Sequence, residues 1–87
     1  MIPDTIKKQI RNGENLGTEF KTSARPMDEI AKVVCSFLNT KGGTIFCGID
    51  DTGKIVGIND AQTTASDLQT FLNEAISPNA LFSVNVD

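Results

Sequence analysis

Glu19-Phe20-Lys21 sets a carboxylate and an ammonium on either side of one aromatic. On a β-strand alternate side chains share a face. Phe20 then turns to the core, beneath the helix predicted over residues 28–39, and the two charges turn away together, roughly 6–7 Å apart at two residues of strand rise. A hard oxygen ligand beside a cation is part of what metal-assisted phosphodiester cleavage needs; the rest is further carboxylates converging on Mg²⁺ or Mn²⁺. Asp50 closes a second apolar stretch, "TIFCGID", and a neighbouring strand can carry it toward Glu19. The ordinary reading is a solvated Glu–Lys pair on an outer strand face, with turn aspartates holding Asx geometry. Both readings stand on these residues alone.

"NTKGGT", residues 39–44, is the other candidate. Glycine amides beside Lys41 can cradle a phosphate. These glycines follow a helical pattern instead of opening one, and no Gly-Lys-Ser/Thr closes the loop, so a Walker-type site is absent. Helix termination and a tight entry into the next strand explain the pair without a ligand.

The elements that must position these residues follow from periodicity. "IPDTIKKQIR" spaces Ile2, Ile6 and Ile10 four apart and predicts a short amphipathic helix ended by Asn12-Gly13, with Lys7, Lys8 and Arg11 off the isoleucine stripe, where such charges more often make a solvated face than a phosphate-binding one. "MDEIAKVVCSFLN" puts Ile30, Val33, Val34, Phe37 and Leu38 on one stripe, with Asp28 and Glu29 in the first turn where the helix dipole favours them. Residues 44–49 and 54–58 predict an antiparallel hairpin around Asp51-Thr52-Gly53, Gly53 supplying a positive φ. In "TTASDLQTFLNEAIS", Thr64 and Asp67 approximate a capping box, Leu68, Phe71, Leu72, Ala75 and Ile76 line one face, and Pro78 stops the helix. "LFSVNVD" alternates as a strand with one buried face. The fold class is α+β: an α/β sandwich with a small mixed sheet, in the order helix–strand–helix–hairpin–helix–strand.

At 87 residues the chain is one small domain. Its end inside a strand predicts that residues 1–87 are an incomplete fragment of a longer protein, with further domains of the same chain as partners. No histidine is present, which excludes a histidine-bearing zinc site and a Ser-His-Asp triad. Cys35 and Cys47 match no metal spacing and read as two buried thiols of a cytoplasmic protein. No apolar run approaches the ~18 residues of a membrane span, and no signal-peptide segment opens the chain. The net charge is −3, yet all eight Lys and Arg fall in residues 1–54, so an anion-binding surface belongs to the first two thirds.

"ENLGTEFK" followed by "EIAKVVCSFLNTKGGTIFCGIDDTGKIVGI" resembles the Schlafen AlbA-like domain. The matching residues are Glu14, Glu19, Phe20, Lys21, Asn39, Gly42, Gly43, Gly48, Asp50, Asp51, Gly53 and Gly57. The resemblance spans roughly residues 10 to 78; each piece is weak alone and the ordered combination is specific. It implies a nucleic-acid-binding, DNA-binding module of a transcriptional regulator. It also implies an alternative, the divalent-metal-dependent ribonuclease of Schlafen type, which carries over to Glu14, Glu19 and Asp50 as Mg²⁺ or Mn²⁺ ligands, with Lys21 assisting and Asp51 the rival for the third place. Family members continue into further strands and a basic segment that this chain lacks.

All five phenylalanines fall on core faces and there is no Tyr or Trp, so base stacking has no platform. Lys21, Arg25 and Lys41 are the expected phosphate contacts, and binding should be salt-sensitive and sequence-tolerant. The resulting expectation is a non-catalytic nucleic-acid binder, with the nuclease as alternative and protein–protein association through a sheet edge as a third reading. A homodimer is expected on the same edge argument.

Overall fold

The computed structural model describes residues 2–76 and 82–86. Its elements run α1 (Asp4–Asn12), β1 (Thr18–Lys21), α2 (Met27–Leu38), β2 (Thr44–Cys47) and α3 (Ala61–Ala75). This is the expected α+β class.

Each helix starts and stops for a local reason. Pro3 opens α1: its carbonyl accepts from Ile6 and Lys7, and Gly13 closes the helix by donating to Ile10 at 3.1 Å. Asp28 and Glu29 occupy the first turn of α2 as expected. The capping box expected of Thr64 and Asp67 does not form. Asp60 takes a left-handed conformation and caps α3 four residues ahead of Thr64, which sits inside the first turn with its hydroxyl 3.4 Å from the Asn59 carbonyl. Pro78, the expected stop, lies outside the described residues.

β1 and β2 pair in parallel, with Glu19 opposite Ile45, Phe20 opposite Phe46 and Lys21 opposite Cys47. The sheet separates two apolar clusters. Ile10, Phe20 and Ile49 pack with Ile6 and Phe46 beneath α1, where the Phe20 and Phe46 rings meet at 6.3 Å between centroids. Ala24, Ile30, Leu68, Leu72 and Ile76 pack on the opposite side, beneath α2 and α3, and receive Ile45 and Cys47 of β2. The layers are therefore α1, sheet, and α2 with α3. Phe20, expected beneath α2, is buried on the α1 side. The crossover through α2 covers the face that carries Ile45 and Cys47, and strand alternation puts Phe20 on the other.

The expected hairpin is present in reduced form. Asp50 N–H donates to Lys54 and Gly53 N–H to Asp50, closing a three-residue loop whose Gly53 has φ +87. Ile49 and Ile55 then make a single antiparallel bridge. Pairing stops there because the Gly48 carbonyl accepts both Val56 and Gly57, at 2.7 and 3.0 Å, as in a bulge. Residues 54–58 accordingly do not run beside β2. Residues 82–86 are not a strand either: no partner ladder forms, although Phe82 and Val84 pack into the α2–α3 cluster while Ser83 and Asn85 stay exposed. The backbone groups of Ile45 and Cys47 that point away from β1 have no hydrogen-bond partner among the described residues.

Candidate functional site

Thr44 donates to the Gly17 carbonyl and Gly48 to that of Lys21. The odd residues of β1 therefore turn their backbone to β2, and the even ones face the outer edge. That edge is closed by the segment just before it. Asn15 and Thr18 exchange backbone hydrogen bonds at 3.1 and 3.2 Å, the Asn15 side chain accepts the Gly17 N–H, and Leu16 stands 97% exposed at the tip. One step further, Glu14 Oε2 accepts the Phe20 N–H at 3.0 Å. The first glutamate of the box is thus engaged with the strand's own backbone.

Glu19 and Lys21 share the face away from Phe20, as expected, with Oε2 and Nζ 3.9 Å apart and both side chains about one-third exposed (37% and 32%). A pair so placed is screened by water and fixes little. Beneath Lys21 lies its cross-strand neighbour Cys47. Burial pushes the Cys47 thiol above its ordinary range, and the Lys21 ammonium pulls the other way. Cys35, expected buried, is exposed on α2.

Asp50 serves its own turn. Its Oδ1 accepts the Thr52 hydroxyl at 2.6 Å, the Thr52 N–H at 2.9 Å and the Lys54 N–H at 3.0 Å. These bonds, the Thr52 hydroxyl foremost and then the Lys54 amide, hold the carboxyl below its usual range. A Cβ built on Gly53 would lie 3.8 Å from the Ile10 carbonyl and 3.9 Å from the Phe20 ring. The turn carrying Asp50 and Asp51 therefore curls over the α1 side of the sheet, away from the face that holds Glu19. Among the described residues no three Asp, Glu or Cys side chains form a group that could hold a metal ion. Glu14, Glu19 and Asp50, expected to converge on Mg²⁺ or Mn²⁺, are not assembled for it. Each carboxylate already has a partner, and the arrangement does not fit the metal.

The Gly-Gly loop is likewise occupied by the fold. The N–H groups of Thr40 and Gly42 both donate to the Phe37 carbonyl. Gly43 leaves no room for a side chain, since a Cβ there would meet the Gly17 carbonyl and the Phe37 ring at 2.9 Å. Helix termination and a tight approach of loop to loop account for both glycines, leaving Lys41 exposed beside them. Arg25, the remaining expected phosphate contact, points to Asp67 of α3 at 3.4 Å.

Two of the three expected contacts, Lys21 and Arg25, thus stand beside carboxylates. Lys7, Lys8 and Arg11 of α1 are exposed and make no ion pair among the described residues. Their spacing was visible in the sequence, where it reads as a solvated face.

A family model described as Schlafen, AlbA_2 matches residues 14–87. No curated protein and no solved structure matches the chain.

Proposed function

The chain belongs to the Schlafen AlbA_2 family, and on that premise we propose that it is a nucleic-acid-binding module, acting on DNA in a regulator of transcription. The observation that carries this choice over a nuclease is the engagement of the three candidate carboxylates: Glu14 with the Phe20 amide, Glu19 with Lys21, and Asp50 with Thr52 and Lys54. Carboxylates so held stabilise a strand edge, a strand face and a turn. The absence of a Tyr or Trp stacking platform, with the phenylalanines buried or half-buried, supports contacts to the backbone of the nucleic acid and not to its bases.

Fluorescence anisotropy with labelled duplex DNA and RNA tests the proposal. Binding should be sequence-tolerant and weaken steeply with salt. No salt-dependent binding up to high micromolar protein at 50 mM salt would sink it. Mn²⁺-dependent cleavage that is lost in Glu19→Ala would replace it with the nuclease reading. A second copy of the chain is a further proposed partner, supported by the outer edge of β2, whose Ile45 and Cys47 backbone groups have no hydrogen-bond partner among the described residues. Sedimentation showing only monomer at high micromolar concentration would remove it.

A further inference from the structure

The outer face of α1 offers a surface that the family match, beginning at residue 14, does not reach. Successive helical residues turn by about 100°, which places Lys7, Arg11 and Lys8 within one arc of that width. Ile6 and Ile10 lie on the opposite side and pack against Phe20, Phe46 and Ile49. The three cations are exposed. Lys7 and Arg11 are four apart and Lys8 and Arg11 three apart, spacings at which like charges repel across a helix surface. Asp4 shares the arc, yet makes no ion pair with them among the described residues. Thr5 and Asn12, both exposed, extend the polar surface on one flank.

The setting of this face sharpens it. Outside the opposite face of the sheet, Asp28, Glu29, Asp60, Asp67 and Glu74 outnumber Arg25 and Lys32, and both of those bases pair with carboxylates there. On the α1 side Lys7, Lys8, Arg11 and Lys54 stand against Asp4, Asp50 and Asp51, so among the described residues that side is the more positive of the two, and an approaching polyanion is turned toward it. The apolar side of α1 is engaged in the core, so the helix has no free apolar face to lay into a membrane.

We propose that Lys7, Lys8 and Arg11 on α1 form the contact surface for the phosphodiester backbone of nucleic acid, one phosphate to each cation. The inference rests on the nucleic-acid-binding reading above and assigns its surface. Lys7 and Arg11 are about 6 Å apart along the helix axis, and each strand of a duplex presents a phosphate every ~3.4 Å of axis. Three side chains can therefore take three phosphates without reading a base. The turn at Asp50 and Asp51, which abuts the Ile10 end of α1 and also carries Lys54, bounds the surface with negative charge and holds the contact to these few phosphates.

The test compares the 87-residue chain with a Lys7→Gln/Lys8→Gln/Arg11→Gln variant and with a Lys32→Gln variant of the opposite face. Anisotropy is read on a labelled duplex of DNA and one of RNA from 50 to 200 mM KCl. Three released counterions give a log–log slope near −2.7, roughly a 40-fold loss over that range. The α1 variant should lose about tenfold or more at 50 mM, with its slope moving toward zero, while the other variant stays within twofold. Gln has a helix propensity close to Lys and Arg, and unchanged circular dichroism confirms the helix. If α1 is destabilised, Lys8→Glu alone serves as the second variant and should still weaken binding severalfold. Wild-type affinity and slope in a folded α1 variant would overturn the surface while leaving the nucleic-acid reading intact. A wild-type chain that binds neither duplex overturns both. Tighter binding to phosphatidylserine vesicles than to either duplex, lost in the α1 variant, would overturn the choice of partner.

Discussion

The Glu14 carboxylate accepts the backbone N–H of Phe20 at 3.0 Å, so the first acid of "ENLGTEFK" caps the strand that carries the second. A part-buried amide bonded to a charged acceptor loses about 1–2 kcal/mol when that acceptor is removed. Glu14→Ala should lower the urea midpoint accordingly, and Glu14→Gln, which keeps a neutral acceptor, should lower it less. A midpoint unchanged in both variants would show that the cap contributes nothing.

Gly43 and Gly17 make a controlled pair. A Cβ at Gly43 would press on the Gly17 carbonyl and the Phe37 ring at 2.9 Å, whereas one at Gly17 meets only Asn15 Oδ1 at 3.7 Å. Gly43→Ala is expected to destabilise by about 1–3 kcal/mol, as overpacking does. Gly17→Ala should stay within about 0.5 kcal/mol. Equal effects would mean that the loop yields freely.

Asp50 gives a pH signature. Its carboxyl is held below the ordinary value of 3.8 by Thr52 and Lys54, so the folded state binds its proton less readily than the unfolded one. The stabilisation is complete above that ordinary value and is lost as pH falls through the lower folded value. The stability difference between wild type and Asp50→Ala should be flat above pH 5 and narrow below pH ~4. A difference that widens in acid would contradict the assignment.

The two thiols should separate kinetically. Cys35 is exposed, whereas Cys47 is half-buried and shifted above its ordinary value of 9.0 by burial. At neutral pH a maleimide should label Cys35 well before Cys47, as read by mass spectrometry of Cys→Ser variants. Because the folded state keeps the Cys47 proton longer, its contribution is full below pH ~9 and falls as pH rises further. Equal labelling rates would place Cys47 at the surface.

Much of the architecture was legible because it rests on local periodicity. The isoleucines at 2, 6 and 10, the stripe through Ile30 and Val34, and the Leu68–Leu72 face each fixed a helix. Asp51-Thr52-Gly53 fixed a turn. Alternation puts Glu19 and Lys21 on one face, as observed, but it cannot say which face α2 covers, and Phe20 lies in the α1 layer instead of beneath α2. The hairpin fell short because one carbonyl, that of Gly48, takes two amides, a preference that no residue pattern announces. The carboxylate triad failed for a related reason. Residue types gave Glu14, Glu19 and Asp50 the right chemistry, while the side toward which the Asp50 turn folds is set by its packing on Ile10 and Phe20.

The layering of charge across the sheet reaches beyond any one ligand. With Lys7, Lys8, Arg11 and Lys54 only partly offset by Asp4, Asp50 and Asp51 on the α1 side, and a surplus of carboxylates beyond α2 and α3, the described residues carry a charge asymmetry along the sheet normal that the net charge of −3 conceals. A uniformly acidic protein would pass through a cation-exchange resin at neutral pH. This one should be held at low salt, oriented with α1 toward the beads, and released as salt rises. In free solution unlike faces of two copies attract while like faces repel. The second virial coefficient should therefore rise with added salt, the reverse of what its net charge alone would give.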